Sequence, residues 1–285
     1  VQMVGFFIPE GPVVQVKDRE GNPSVLRDRD RTVLYDGPLT VMVNEFSASA
    51  SEIFAAAIQD YGRGVVIGST STYGKGTVQR NIGLEANSLF NNKDASELGT
   101  LKLTLQKFYR INGGSTQLRG VTPNIVLPDQ YESLEYREKD NPDALPWDEI
   151  PKAFYTKLSP GYDMQSVVKS SEIRITENPS FQAIKASSEL MKKANEKVYS
   201  LQLEKYRIEQ KELKDSFKKI DDASKNQKQL DISIMPVDLK RLESDNDKLE
   251  RRKQWAGYLS KDIYISETCQ IIVDMIRQSF LVKGV

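Results

Sequence analysis

Hydrophobic and polar positions divide the chain into two regions of different character. From Val13 to about Pro128, short apolar runs alternate with polar turns, a pattern typical of a mixed α/β domain. From Ser180 onward, apolar residues recur about every three to four positions among dense charges, which predicts long amphipathic helices. Neither pattern holds between these regions, where we expect a linker or an irregular wrap. The predicted segments are 1–128, 129–180 and 181–285.

Six strands are predicted in the first region. They cover residues 12–17, 31–35, 39–43, 65–68, 99–110 and 121–127. We expect the first two to pair across a polar turn at 18–22, and the last two to bracket the turn at Asn112. The nearly continuous apolar run at 39–43 predicts a strand buried on both faces.

A helix is predicted directly after the strand at 39–43. Ser49 and Glu52 have the spacing of a capping box, and an apolar run follows them. Gly62 and Gly64 favour termination of the helix there. With the strand at 65–68, this gives a strand-helix-strand unit, for which a parallel, right-handed crossover is the expected geometry.

The charged second region predicts three helices. The first covers 180–228, the second begins after Pro236, and the third covers 260–282. Their charge runs are typical of solvated helix faces. The single cysteine, Cys269, lies in an apolar helical pattern, so we expect it to pack in a core and we expect no disulfide framework.

Composition narrows the classes of function. The chain of 285 residues has 40 basic and 40 acidic side chains, so no net charge attracts it to nucleic acid or anionic lipid. It contains no histidine, which excludes a Ser-His-Asp or Cys-His mechanism built from this chain and removes the commonest zinc ligand. A hydrolase of this sequence therefore needs another base, and we expect no metal or cofactor.

Two features concern membrane segments and the start of the sequence. No run of 18 or more apolar residues occurs, so we expect no transmembrane segment. The first residues, from Val1 to Pro9, have the pattern of neither an initiator region nor a signal peptide. We interpret the sequence as a fragment of a longer protein.

Ser49 is the serine whose context best suits a nucleophile. It lies at a strand-to-helix junction, where unpaired N–H groups and the helix dipole favour negative charge. The N–H of Ala50, the next residue, would be a natural oxyanion donor. The alternative is that Ser49 only caps the helix and that Ser47 and Ser51 are small polar filler.

Lys75 is the candidate base. A lysine can take a proton from a serine if burial lowers its pKa towards neutrality. The glycines on either side of Lys75 permit unusual dihedral angles and close backbone approach, so the side chain can turn inward. An exposed lysine on a surface loop is the alternative. The spacing of a phosphate-binding loop is absent.

The two motifs together resemble the C-terminal processing peptidases. Phe46-Ser-Ala-Ser-Ala-Ser-Glu-Ile is followed by Tyr73-Gly-Lys-Gly-Thr-Val-Gln, in that order and separated by one helix and one strand. The segments beginning at Gln106, Gly120 and Ala144 extend the resemblance, which is best to the tail-specific proteases. It implies an α/β region that forms part of a crotonase/ClpP-like protease core with a mixed sheet, followed by a mainly α-helical C-terminal domain.

The resemblance also implies roles for individual residues. Ser49 would be the nucleophile, Lys75 the general base and Gln79 the residue that orients the lysine. Asp60 lies at the C-terminal end of the helix that follows Ser49. It corresponds to an aspartate that is regarded as part of the active site in tail-specific proteases. A carboxylate at a helix C-terminus can equally be structural, so that alternative stays open.

The activity implied by the resemblance is that of a serine endopeptidase acting on proteins recognised by their exposed C-terminal tails. The family's PDZ domain would be a partner, and the setting would be the bacterial periplasm, with membrane association left open. The PDZ domain and an upstream glycine-rich turn that supplies a second oxyanion donor are not visible here, so we expect low activity from this fragment alone. The alternative is a non-catalytic interaction or scaffold module that uses the charged helical region.

Overall fold

The computed structural model describes residues 1–84, 99–224, 229–242 and 244–283. The chain forms two compact units. The first comprises Val1–Val66, Thr70–Pro123 and Glu135–Pro160, and the second comprises Ile67–Ser69, Asn124–Leu134 and Gly161–Val285. The first is a mixed α/β structure and the second is mainly helical, which confirms the predicted fold class.

The described residues up to Tyr109 contain two helices and six strands. They are α1 (Gln2–Gly5), β1 (Gly11–Lys17), β2 (Pro23–Asp28), β3 (Thr40–Val43), α2 (Ala50–Tyr61), β4 (Val65–Gly68), β5 (Thr77–Gly83) and β6 (Thr100–Tyr109). Four of these strands form an antiparallel sheet in the order β2-β1-β6-β5, so β2 and β5 are its edges.

The core of the first unit lies between this sheet and α2. Val14 and Val16 of β1 are buried against Phe108 of β6, and Ile53 of α2 packs on the same cluster. Further along α2, Ala57 and Tyr61 belong to a second cluster. These contacts fix α2 and the residues immediately before it, because a close-packed interior allows little displacement of an element. The members of this second cluster are Val4, Ile8, Val13, Ala57, Tyr61, Ile111 and Ala153.

The predicted boundaries of α2 are confirmed. The helix begins at Ala50 after the Ser49 cap, and the backbone N–H of Ser49 donates to Glu52 Oε2 at 2.8 Å. It ends at Gly62, which has a left-handed conformation with φ of 66°. Glycine adopts this conformation without a steric penalty, so it stops the helix as expected.

The second unit contains a short strand pairing and six helices among its described residues. Ile67 and Gly68, at the end of β4, pair in parallel with β7 (Ile125–Val126). The helices are α3 (Met164–Glu177), α4 (Pro179–Glu196), α5 (Leu203–Ser224), α6 (Pro236–Leu242), α7 (Asn246–Leu259) and α8 (Ile263–Lys283). No helix in the described part of the chain is both long and apolar enough to span a bilayer.

Arg174 joins α3 to α8 by ionic hydrogen bonds. Its guanidinium donates to Glu267 at 2.8 Å and to Asp274 at 2.7 Å, and Ser171 Oγ donates to Glu267 at 2.7 Å. Ser171 is fully buried and Glu267 is nearly so. Buried charges are tolerated only when they are paired and hydrogen-bonded, so this network fixes the register of the two helices.

Several strand predictions are wrong in position. Residues 31–35 do not form a strand; β1 pairs instead with β2, which follows the turn at once. The strands predicted at 99–110 and 121–127 do not pair, because β6 pairs with β5 and β1, whereas only Ile125–Val126 forms a strand in the later segment. β3 is present but not buried on both faces, since Met42 is 45% exposed.

The helical predictions are also corrected in detail. The helix expected over 180–228 is two helices, because Lys197 after α4 has an extended conformation with ψ of 133°. Residues of the segment predicted to be irregular form α3. The helix after Pro236 is divided into α6 and α7. Cys269 is exposed on α8, so its expected packing role is wrong.

Candidate active site

Ser49 has a strained backbone conformation. Its φ and ψ are 56° and −110°, and positive φ is rare for a residue with a side chain. Such conformations cost about 1–3 kcal/mol and concentrate at functional sites. Here the strain arises because the chain turns sharply from the segment after β3 into α2. This turn leaves Ser49 partly exposed at the helix N-terminus.

Ala50 is the first residue of α2 and is exposed. The N–H groups of a first helical turn have no acceptor within their own helix, and they carry the positive end of the helix dipole. The Ala50 N–H therefore lies next to Ser49 at the positive end of the helix dipole, and its role as an oxyanion donor stays a prediction.

Glu52 connects the Ser49 turn to the loop that carries Lys75. Its side chain is fully buried, and Oε2 accepts the backbone N–H of Ser49 at 2.8 Å and that of Lys75 at 3.0 Å. Oε1 accepts the Gly74 N–H at 2.7 Å and the Thr72 hydroxyl. One carboxylate thus receives four hydrogen bonds from two segments that are distant in sequence.

The ionisation of Glu52 depends on two opposing effects. Burial raises the pKa of the Glu52 carboxyl above its ordinary value, because a charge is disfavoured away from water. The hydrogen bonds from Thr72, Gly74, Ser49 and Lys75 favour the ionised form and oppose this rise. An ionised Glu52 can accept all four donors, whereas a protonated one cannot.

Backbone conformation and close packing explain why glycines lie on both sides of Lys75. Gly74 has a φ of 92°, in the left-handed region that favours glycine. A Cβ on Gly76 would lie 2.6 Å from Ser115 Oγ and 2.7 Å from the backbone nitrogen of Gln117. Gly76 N–H donates to the buried Gln117 side chain at 2.8 Å. The loop therefore packs too closely for any larger residue at position 76.

Lys75 and Gln79 are brought together by the structure. Lys75 Nζ donates to Gln79 Oε1 at 3.0 Å, and Gln79 Nε2 approaches Thr104 Oγ1 at 3.5 Å. Gln79 lies on β5 and Thr104 lies opposite it on β6. The sheet thus holds the amide group that accepts the hydrogen bond of Lys75 Nζ.

Ser49 and Lys75 are joined through their backbones and not through their side chains. Within the described residues, the hydrogen bond of Lys75 Nζ goes to Gln79, and no hydrogen bond connects it to Ser49 Oγ. Their backbone nitrogens nevertheless share Glu52 Oε2, so they are neighbours. Lys75 is partly exposed.

Asp60 lies at the other end of α2. It is 11 residues beyond Ser49, which at a rise of 1.5 Å per residue places it about 16 Å away along the helix. Its carboxylate is paired with Arg110 at 2.6 and 3.1 Å and also accepts the Asn112 amide at 3.0 Å. The structure therefore does not bring Asp60 together with Ser49 and Lys75.

The sequence predicted Glu52 only as part of a helix cap. Its hydrogen bonds to the loop that carries Lys75 were not predicted. The cap was visible because Ser49 and Glu52 are three residues apart. The donors on Thr72, Gly74 and Lys75 are at least 20 residues away, so no local pattern could show them. Gln117 was missed for the same reason.

Comparison with known proteins supports the resemblance. Residues 1–127 match the model of peptidase family S41, and residues 131–277 match the model of the C-terminal domain of tail specific protease. The chain is 45% identical over 201 residues to the tail-specific protease of Haemophilus influenzae, an alignment that covers 69% of this chain and 28% of that protein.

Two further similarities each cover less than half of this chain. The carboxy-terminal-processing protease of Bartonella bacilliformis is 36% identical over 140 residues, covering 47% of this chain and 30% of that protein. Among solved structures, the photosystem II D1 C-terminal processing protease is 26% identical, with a TM-score of 0.35, covering 44% of this chain and 29% of that one.

The chain spans less than a third of the length of these two curated relatives. The matched models cover both the α/β region with Ser49 and Lys75 and most of the helical region. The chain therefore belongs to peptidase family S41 and carries the C-terminal domain of the tail-specific proteases.

Proposed function

We propose that this chain supplies the nucleophile and the base of a serine endopeptidase that acts on proteins with exposed C-terminal tails. The observation that carries the proposal is the Glu52 carboxylate, which accepts hydrogen bonds from the backbones of both Ser49 and Lys75. Strained backbone conformations concentrate at functional sites, and this buried carboxylate, which accepts four hydrogen bonds, holds the strained serine turn beside the lysine loop.

The proposed reaction is acyl transfer. Neutral Lys75 accepts the proton of Ser49 Oγ, and the oxygen attacks the carbonyl carbon of the scissile peptide. The Ala50 N–H donates to the resulting oxyanion. Protonated Lys75 gives its proton to the departing amine, which leaves an acyl group on Ser49. Neutral again, Lys75 takes a proton from the attacking water and returns it to Ser49 Oγ as the carboxylic acid product is released. No metal or cofactor takes part in this scheme.

The chemistry requires Lys75 Nζ to reach Ser49 Oγ. Gln79 Oε1, which accepts the hydrogen bond of Lys75 Nζ in this structure, would then orient the lysine while its amine turns towards Ser49. Because Glu52 already holds the two backbones close, a change of side-chain rotamer with a small movement of the loop suffices in this proposal.

We place Asp60 with the site as a positioning residue. Its ion pair with Arg110 anchors the C-terminal end of the helix whose N-terminus carries Ser49. From the resemblance to the tail-specific proteases, we further propose a periplasmic setting and capture of substrate tails by a PDZ domain in the natural polypeptide.

A second candidate is a non-catalytic interaction module that uses the charged helices. The observation that favours it is that Lys75 Nζ is bonded to Gln79 instead of Ser49. The two candidates differ in one respect that is easily measured, since only a peptidase loses its activity when Ser49 or Lys75 is changed.

The test is cleavage of an unfolded, tail-bearing reporter protein by the full natural polypeptide. Ser49→Ala and Lys75→Ala should each abolish cleavage, whereas Ser51→Ala and Lys102→Ala, at exposed positions, should preserve it. We expect the 285-residue chain alone to show little turnover. Cleavage that survives both Ser49→Ala and Lys75→Ala would refute the peptidase proposal and favour the interaction module.

A further inference from the structure

One short segment contacts the loops that carry both proposed catalytic residues. It consists of Tyr136, Arg137 and Glu138, and we call it the clasp. The ring of Tyr136 packs against that of Phe46, with 5.9 Å between the ring centroids. Phe46 belongs to the turn that leads to Ser49, so the clasp is in contact with the nucleophile loop.

The clasp is also hydrogen-bonded to the loop that carries Lys75. The Arg137 guanidinium donates to Thr70 Oγ1 at 3.2 Å, and the backbone N–H of Glu138 donates to the carbonyl oxygen of Tyr73 at 2.9 Å. Arg137 is itself buried. The clasp therefore holds the part of the loop that precedes Lys75.

Gln117 extends these contacts to the part of the loop that follows Lys75. Its Nε2 donates to Glu138 Oε1 at 3.0 Å, and its Oε1 accepts the Gly76 N–H at 2.8 Å. The Gln117 side chain is fully buried, whereas Glu138 is half-buried. Two hydrogen bonds in series thus connect a carboxylate of the clasp to the residue directly after Lys75.

The carboxylate of Glu138 determines which way the Gln117 amide faces. An ionised carboxylate accepts hydrogen bonds and donates none, so it selects the NH₂ group of Gln117. The amide oxygen is then turned towards Gly76, which is buried and whose N–H therefore needs an acceptor. Loss of the Glu138 carboxylate would remove this constraint on the amide.

The residues on either side of Gln117 contact the same loop through further hydrogen bonds. Thr116 Oγ1 donates to the Lys75 carbonyl oxygen at 3.1 Å, and the Leu118 N–H donates to the Gly74 carbonyl oxygen at 2.8 Å. Leu118 has a φ of 63°, which is rare for a residue with a side chain. Such conformations persist only where the surrounding contacts determine them, so this segment has little freedom to move.

We propose that Glu138 is a positioning residue for catalysis, which acts through Gln117 on the backbone of the loop that carries Lys75. This inference rests on the proposed peptidase function. Transfer of the Ser49 proton requires a base within hydrogen-bond reach, and a small displacement of the base slows the reaction strongly. Glu138 therefore contributes to the rate although it touches neither the substrate nor the reacting atoms.

Two carboxylates then share the task of holding the lysine loop. Glu52 accepts the N–H groups of Gly74 and Lys75, and Glu138 acts on Gly76 through the buried amide. Glu52 is fully buried, whereas Glu138 is half-buried. Substitution of Glu138 should therefore disturb the loop with a smaller loss of stability than substitution of Glu52.

The kinetic test uses the full natural polypeptide and a tail-bearing reporter protein. Glu138→Ala should lower kcat about tenfold and change KM less than about twofold, because the interaction serves the base and not substrate binding. Glu138→Gln keeps an acceptor oxygen and should retain most of the wild-type kcat. Glu135→Ala, at an exposed position in the same part of the chain, is the control. A wild-type kcat in Glu138→Ala, or a kcat in Glu138→Gln as low as that in Glu138→Ala, would overturn the proposal.

An exchange of the two partners tests the connection between them. Gln117→Glu places a carboxylate against Glu138, so the second hydrogen bond is lost and kcat should fall at least tenfold. The double variant Gln117→Glu/Glu138→Gln again places a donor opposite an acceptor. We expect its kcat to be at least threefold higher than that of Gln117→Glu alone, and a lack of any recovery would count against the proposal.

Hydrogen exchange tests the effect on the loop without reference to activity. Glu138→Ala should speed the amide exchange of a peptide covering residues 73–79 at least tenfold, with exchange in the middle of α2 unchanged. If Ser49→Ala abolishes cleavage but Glu138→Ala changes neither kcat nor exchange, the positioning role fails and the peptidase proposal stands. If cleavage survives Ser49→Ala while Glu138→Ala still speeds exchange, the peptidase proposal fails and the catalytic role of Glu138 fails with it, although Glu138 holds the loop.

Discussion

The backbone N–H groups of Ser49 and Lys75 donate to the same oxygen atom, Glu52 Oε2, at 2.8 and 3.0 Å. This relationship brings together two loops that are separated by the whole of α2 and β4. It also makes their relative position depend on a side chain that would not take part in bond breaking. Glu52 is therefore the residue on which the geometry of the proposed dyad depends most.

The first prediction concerns Glu52→Gln. The amide would place an N–H₂ group against backbone donors that now meet a carboxylate, so at least two hydrogen bonds are lost. We expect the free energy of unfolding to fall by about 3 kcal/mol and kcat per folded molecule to fall at least tenfold. Urea unfolding and initial-rate kinetics of the full natural polypeptide measure the two effects. Glu20→Gln, in an exposed turn, is the control, and a wild-type kcat in Glu52→Gln would contradict the role assigned to Glu52.

Gln79→Ala is expected to affect catalysis more than stability. Gln79 is exposed, so its removal leaves no cavity, but Lys75 Nζ loses the acceptor that directs it. We predict a fall in kcat of about tenfold or more, with KM changed less and the free energy of unfolding within about 0.5 kcal/mol of wild type. Asn81→Ala, on the same exposed strand, is the matched control. Equal kinetic effects of the two substitutions would show that Gln79 does not orient the lysine.

Asp60→Asn distinguishes a positioning role from a catalytic one. The substitution leaves Arg110 without its charged partner in a largely buried setting, and breaking such pairs costs about 3–5 kcal/mol. We therefore expect a marked loss of thermal stability, with kcat per folded molecule reduced far less than by Ser49→Ala. If fully folded Asp60→Asn lost as much activity as Ser49→Ala, Asp60 would have to be a catalytic group.

The predictability of the fold differs between its elements for physical reasons. β3, α2 and its termination at Gly62 were predicted because a short apolar run, a cap and a glycine are local signals. β2 was misplaced because the register is set by the turn, in which Asp18 Oδ1 accepts the Asn22 N–H at 2.8 Å, so pairing resumes at once at Pro23. The residues at 31–35 matched the pattern of a strand better than those of β2 did, although they do not form a strand.

β5 was not predicted because its stability comes from β6, which follows it after a long interval in the chain. Its exposed residues mix apolar and polar types and have no buried face that would produce a periodic pattern. The residues of the proposed site likewise divide into those that local patterns predict and those that depend on tertiary contacts. The positions of Ser49, Ala50 and Lys75 were inferred from motifs, whereas the Glu52 connection depends on a tertiary contact.

A pH-dependent contribution to stability is predicted for Asp148. Burial opposes its ionisation, but hydrogen bonds from Lys107, Lys17 and Tyr109 outweigh burial, and the pKa of Asp148 is lowered from its ordinary value of 3.8. A lowered pKa in the folded state means that the ionised form stabilises the fold above the unfolded pKa. This stabilisation is lost as the pH falls through the folded pKa.

The measurement is the free energy of unfolding of the wild type and of Asp148→Asn between pH 7 and pH 3. We expect Asp148→Asn to be less stable by about 1 kcal/mol near neutrality, a figure reduced because solvent screens this partly exposed group. The difference should shrink below about pH 4. Asp36→Asn, at an exposed position, should show no such convergence. A constant difference across the range would contradict the assigned ionic role of Asp148.

The proposed peptidase function depends above all on Ser49 being a nucleophile that Lys75 activates. The most direct measurement is intact-protein and peptide mass spectrometry of the full natural polypeptide, quenched with acid during turnover of an activated ester of a short peptide. We expect a single acyl group on the peptide that contains Ser49, absent in Ser49→Ala, strongly reduced in Lys75→Ala and preserved in Ser51→Ala. Acylation of a different residue, or undiminished acylation of Ser49 in Lys75→Ala, would contradict it.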